Sequence, residues 1–126
     1  MQAMEISRTG LDVEWRRLEI IAQNLANASS AGYQPRRLVS GPAASFKDHV
    51  GGVEVKDVAL TQAAPNLVHE PNNPQADSRG FVSYPGIDQA AEMTMMVKAS
   101  RVYEANIVAM NSARQMYNKA LELGRR

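Results

Sequence analysis

The sequence predicts a mainly α-helical protein with a small β-rich insert, organised around an antiparallel, coiled-coil-like pair of N- and C-terminal helices. Three observations carry that prediction. Residues 87–123 contain no proline or glycine, residues 4–25 carry a heptad stripe, and all six prolines fall between Pro35 and Pro85 among short runs that alternate with period two. The 126 residues divide as one unit: a helix over 1–28, a loop and small β-rich insert over 29–86, and a long helix over 87–124 that pairs with the first.

The first helix rests on Met4, Arg8, Leu11, Trp15, Leu18, Ala22 and Leu25, which recur at alternating steps of four and three, with only Arg8 breaking the apolar character. Glu14, Arg16, Arg17, Glu19 and Gln23 supply much of the remaining surface. Gly10 costs about 1 kcal/mol of helix stability relative to Ala, so a frayed or bent end is expected before it. Asn27, Ser29, Ser30 and Gly32 favour a turn, and Pro35 pushes Gln34 out of helical geometry, so the helix is expected to stop near Ala28. Asn24 and Asn27 at that end fit either a simple terminating turn or a polar contact at a subunit junction. Gly32 is the residue able to take a positive φ, and Tyr33 beyond it either folds back over the helix end or packs on a neighbour.

In the insert, residues 52–60 and 80–84 alternate as strands do, and residues 66–70 form a shorter candidate. Pro71-Asn72-Asn73-Pro74 marks a turn or extended loop. The span 36–50 carries no clear period, and Gly41-Pro42 argues against regular structure there.

The last helix has Asp88 as its expected N-cap, with Glu92 suiting the positive end of the dipole. Gly124 followed by Arg125 and Arg126 is its expected stop. Its seam is Ala99, Tyr103, Asn106, Met110, Ala113, Tyr117, Ala120 and Gly124, flanked by Val102, Ile107, Met116, Leu121 and Leu123. One antiparallel pair covers only part of so wide a band. The apolar remainder predicts an assembly subunit whose helices are completed by neighbours and whose ends are flexible beforehand.

Bulk properties exclude several classes. A net charge of +1 gives no electrostatic case for nucleic-acid or membrane binding, and no apolar run is long enough to insert into a bilayer. The absence of cysteine excludes disulfides and thiolate zinc sites and fits either cytosol or periplasm. The N-terminus lacks the charged and apolar regions of a cleavable signal. His49 and His69 are far apart and lack metal-ligand spacing, no phosphate-binding glycine loop follows a strand, and no nucleophile is ordered by a base, so neither an enzyme nor a cofactor or metal site is expected.

Several stretches resemble a known family. Ile6-Ser7-Arg8-Thr9-Gly10-Leu11, then residues 18–28 (LEIIAQNLANA), then Gly32-Tyr33, resemble the N-terminal signature of bacterial flagellar rod and hook proteins. Residues 67–85 (LVHEPNNPQADSRGFVSYP), Glu92-Met93 and residues 99–106 (ASRVYEAN) are similar to proximal-rod members of that axial family. The resemblance covers nearly the whole chain and is weakest over 38–51. Ser30 stands where the family usually has Thr, which keeps the hydroxyl, and Gly86 stands where Asn commonly follows Tyr-Pro, which loosens the approach to the last helix.

The resemblance implies a structural drive-shaft subunit of the basal body, in the periplasmic rod, that transmits torque. It implies export through the flagellar type III apparatus without signal cleavage and helical assembly with itself and with other rod proteins. Basal-body ring and export-gate proteins are its further implied partners, and the paired terminal helices would line the inner tube. The alternatives are a sibling proximal- or distal-rod subunit, a soluble adaptor of the export machinery, and, least favoured, a small hydrolase. The surface expected to meet neighbours comprises Leu11, Leu18, Asn24, Leu25, Asn27, Gly32 and Tyr33, then Arg101, Tyr103, Glu104, Asn106, Met110, Ala113, Tyr117, Ala120 and Leu121. Asn106 is expected to fix register as a polar seam residue, and Arg101 and Glu104 to pair locally or with another subunit.

Overall fold

The computed structural model describes residues 2–43 and 51–125. The elements run α1 (Gln2–Ala26), β1 (Arg36–Pro42), β2 (Val53–Leu60), β3 (Asn66–His69), β4 (Phe81–Tyr84) and α2 (Gln89–Gly124). The two helices pack against each other and the strands form two separate antiparallel hairpins, β1–β2 and β3–β4. His49 and the rest of the 36–50 span beyond Ala43 lie outside the described residues.

The helix pair is antiparallel. Asn24 lies level with Glu92, and Gly10 with Asn106, so Gln2 is level with about Arg114. The face of α1 that packs differs from the expected stripe. Gly10, Val13, Ile20, Ile21 and Asn24 are buried, whereas Trp15 is 57% exposed and Leu11, Leu18 and Leu25 are only half-buried. The packed face has the same three-and-four spacing, displaced by about one position, or roughly 100° around the helix. Its ends are a glycine and an asparagine, so a stripe chosen on apolar character alone misses it.

Gly10 lies within an unbroken α1. It sits at the crossing with α2, where an added Cβ would lie 2.7 Å from the Asn106 side-chain nitrogen. The Asn106 side chain occupies the space a Cβ would take, which gives a glycine a reason to stand here despite its propensity cost.

The β1–β2 hairpin lies against α1. Leu38 joins Val13 and Ile20 in the apolar core, with Val58 packed at its edge. β1 includes Gly41 and Pro42, against the expectation of irregular structure there; Pro42 ends the strand opposite Val53. The ladder slips between Val39 and Ser40, so that Asp57 and Val55 face consecutive residues and Lys56 is the extra one. Arg17 braces that bulged stretch from α1, donating to the Leu38 carbonyl at 3.3 Å and the Ser40 hydroxyl at 2.9 Å while paired with Glu14.

β3 and β4 form a short hairpin whose Val82 is fully buried. Its long connection is ordered by side chains. Asp77 accepts from the backbone of Arg79 and Phe81 at 2.8 and 2.9 Å, and Gly80 takes a φ of +82°. Glu70 accepts from Asn73 and from the Tyr84 hydroxyl, and that hydrogen bond holds the phenol's pKa above its ordinary value. A raised phenol pKa means the contact is present through neutral pH and is lost only as pH climbs through the raised value.

α2 starts as expected, with the Asp88 carboxylate accepting from the Ala91 N–H at 3.2 Å. At its other end Gly124 is still helical, and Arg125 provides the cap with its N–H on the Glu122 carbonyl, so the glycine is not used as a left-handed stop. The helix has 36 residues against 25 in α1 and spans roughly 54 Å.

Candidate assembly surface

The residues expected to meet neighbours separate into an inward and an outward set. Asn24 belongs to the first and lies inside the subunit. It is 0% exposed. Its side-chain oxygen accepts from the Tyr33 hydroxyl at 2.9 Å and the Arg36 N–H at 3.1 Å, and its nitrogen donates to the Arg36 carbonyl at 2.9 Å. The carboxamide thus pairs with both backbone groups of Arg36, as a rung of a β-ladder would. The same nitrogen lies 3.5 Å from the Glu92 carboxylate, which is 2% exposed and ion-paired with Arg37.

This cluster joins the end of α1, the start of β1 and the first turn of α2. Glu92 was legible only as a dipole-compensating acid, because neither Arg37 nor Asn24 is near it in sequence. Tyr33 folds back over the helix end, its hydroxyl on Asn24. Gly32 adopts a φ of +78° and its N–H donates to the Ser83 carbonyl at 3.0 Å, tying this turn to β4. Asn27 terminates α1 locally, its nitrogen on the Gln23 carbonyl at 2.9 Å and its oxygen accepting from Ser30.

On α2, Tyr103, Asn106 and Met110 are half-buried and Ala113 is 5% exposed, all on the side that meets α1. Tyr103 lies against Trp15 with ring centroids 6.1 Å apart. Asn106 faces Gly10 across the helix pair.

The outward set starts level with the N-terminus of α1. From Arg114 onward every described residue of α2 is exposed. Met116 and Leu123 are 66% and 70% exposed, with Tyr117 and Leu121 also open. These residues lie past Gln2, the first described residue of α1, forming a tail of about ten residues, roughly 15 Å. Further back, Met93, Val97 and Val108 are exposed on the outer side of α2. Arg101 and Glu104 are exposed and, among the described residues, have no ion-pair partner, so the expected local pair does not form.

α1 is charged differently. Its Glu5–Arg8–Asp12, Glu14–Arg17 and Arg16–Glu19 sets are each paired within the helix. Between α1, β1 and α2 lies a cleft of about 320 Å³ lined by apolar Ile20, Ile21, Leu38, Ala99 and Val102 and by Arg17, Arg37 and Lys98.

Among the described residues no group of His, Asp or Glu is placed to hold a metal ion, and no helix is long and apolar enough to cross a membrane. His69 packs edge-on against Phe81 with centroids 5.0 Å apart. What the fold offers is a braced helix pair with one end and one flank uncovered.

Known proteins are similar to this sequence. Residues 78–123 match the family described as flagellar basal body rod FlgEFG protein, C-terminal. The chain is 37% identical to the flagellar basal-body rod protein FlgC of Escherichia coli O6:H1 over 130 residues, covering 98% of this chain and 97% of that one. FlgC of Salmonella typhimurium matches with the same identity and coverage, and FlgC of Bacillus subtilis is 29% identical over 98% of this chain and 97% of its own. With relatives this similar along almost the entire length, the chain belongs to the FlgC family of flagellar basal-body rod proteins.

Proposed function

We propose that the chain is a structural subunit of the flagellar proximal rod, assembling helically with other axial proteins to transmit torque. The observation that carries this reading is the apolar surface left open on α2, above all Met116, Tyr117, Leu121 and Leu123 past the N-terminus of α1. Exposed apolar area of this kind is covered by partners, and membership of a rod-protein family says which kind of partner. The subunit works in the periplasm, reaches it through the flagellar type III export apparatus without signal cleavage, and contacts ring and export-gate proteins at the base of the rod. It performs no chemistry.

The mechanical role follows from the bracing. Twist applied to the helix pair reaches the β1–β2 hairpin through Arg17 and through the buried Asn24–Arg36 and Glu92–Arg37 contacts. These contacts anchor both ends of β1 to the helix pair, with Asn24 and Glu92 themselves buried, so the hairpin turns with the helices. Stiffness between subunits comes from the uncovered surface once neighbours bury it.

Ala120 and Ala113 separate folding from assembly. Ala113 is buried against α1, whereas Ala120 is exposed on the tail. Ala120→Glu is expected to keep wild-type helicity and secretion but to be missing from purified basal bodies, with motility lost. Ala113→Glu buries an unpaired charge and is expected to destabilise the monomer by about 3 kcal/mol. Normal motility of the Ala120→Glu strain would overturn the reading.

A further inference from the structure

Each hairpin has two outer edges, and among the described residues those of β1, β2 and β4 are covered or blunted. β1 gives the N–H and C=O of Arg36 to the Asn24 carboxamide and the Leu38 carbonyl to Arg17. β2 is interrupted by the extra residue Lys56 and also carries Glu54 and Asp57. Its Val53 and Val58 N–H groups donate to the side chains of Thr9 and Asp57. β4 gives the Ser83 carbonyl to Gly32 and both backbone groups of Phe81 to Asp77. Bulges, charges and covering segments are the devices that keep sheet edges from pairing with other chains.

β3 has none of these devices. Asn66-Leu67-Val68-His69 pairs with β4 without a slip, contains no proline, acid, lysine or arginine, and is exposed at every residue. Glu70 donates to the Gly80 carbonyl at 2.9 Å, which fixes the alternation of the ladder. The N–H and C=O of Leu67 and His69 therefore point away from β4, and among the described residues they meet no partner. A groove of about 480 Å³ adjoins the same strand, lined by Val68, Tyr84, Ala28, Ser29 and Ile87. Val68 is 41% exposed beside it, although Val82 opposite is fully buried.

We propose that the open edge of β3 takes an extended segment of a different polypeptide as an added strand. The free backbone groups of Leu67 and His69 supply the pairing, and alternate side chains of the segment enter the groove beside Val68. Those side chains are apolar and uncharged. The groove residues named above carry no charge, so an acid or base placed there would lose water without gaining a counter-charge. A second copy is not the occupant. β3 against β3 is a two-fold contact that closes on itself, whereas helical assembly needs contacts that continue. That exclusion alone rests on the rod-subunit reading.

The probes are capped pentapeptides that alternate threonine with valine, leucine or phenylalanine, and the same peptides methylated on their amide nitrogens. They are titrated into the isotope-labelled full-length chain and followed by NMR. The unmethylated peptides are expected to shift Leu67, Val68 and His69 and to slow amide exchange at Leu67 and His69. Their methylated counterparts keep the side chains but lose the donors, and are expected to bind about tenfold more weakly. Leu67→Pro removes one outward N–H without touching the bonds to β4, so it is expected to weaken binding while the Val82 amide stays protected. If that variant loses the hairpin, the methylated peptides decide alone. Equal binding of methylated and unmethylated peptides, or no binding at millimolar concentration, overturns the added strand. Protection of Leu67 and His69 that rises with protein concentration in the absence of peptide puts a second copy on the edge and overturns the choice of a different chain. The rod reading stands or falls separately, on Ala120→Glu.

Discussion

Asn24 and Asn27 are three residues apart on the same helix end and look interchangeable in the sequence, yet their surroundings give them unequal weight. Asn27 satisfies one carbonyl in an open turn. Asn24 satisfies the backbone N–H and C=O of Arg36 and the Tyr33 hydroxyl in a site closed to water. Asn24→Ala is therefore expected to cost about 3 kcal/mol in urea unfolding, and Asn27→Ala under about 1 kcal/mol, because leaving buried groups unpaired costs more than losing an exposed hydrogen bond. Equal losses would show that the cluster is not a unit. Nothing in the spacing of Asn24 announces this role. Its partners Arg36 and Glu92 are 12 and 68 residues away, and a carboxamide that imitates a ladder rung has no local signature. Gly32, by contrast, was readable, because a positive φ after a helix is a local requirement.

Among the elements, those governed by local rules are where the sequence places them. α2 begins at its Asp88 cap, and β2, β3 and β4 fall on the alternating runs. The misplacements are matters of contact. β1 forms despite Gly41-Pro42 because β2 supplies its ladder and Arg17 braces it, and the true inner face of α1 is hidden because its terminal members are Gly10 and Asn24.

Gly86 is a related case. Where the family commonly has Asn, an added Cβ here would stand 2.0 Å from the Ala64 carbonyl oxygen. The glycine does more than loosen the approach to α2: it lets the β2–β3 linker cross directly over it. Gly86→Asn, though nearer the family pattern, is expected to displace that linker and lower stability by about 2 kcal/mol in thermal or urea unfolding. An unchanged midpoint would mean the linker moves aside freely.

For the molecule as a whole, the unequal helices set where stability lies. α2 is covered by α1 as far as Ala113 and open beyond it. Hydrogen exchange on the dilute chain is expected to show protected amides around Ala99–Ala113 and rapid exchange from Met116 onward, with the tail becoming protected in assembled rods. Uniform protection along α2 in the monomer would contradict this. The sequence foretold an unfinished surface, because the apolar band of α2 is wider than one partner can cover, but where the band is left bare depends on the stagger of the pair, in which Gly10 lies level with Asn106.

The 11-residue difference in helix length also gives the subunit two dissimilar poles. A column of such bodies cannot be turned upside down without changing what it presents at each tip. Under the rod-subunit reading, a direction of stacking is therefore already inscribed in a single polypeptide.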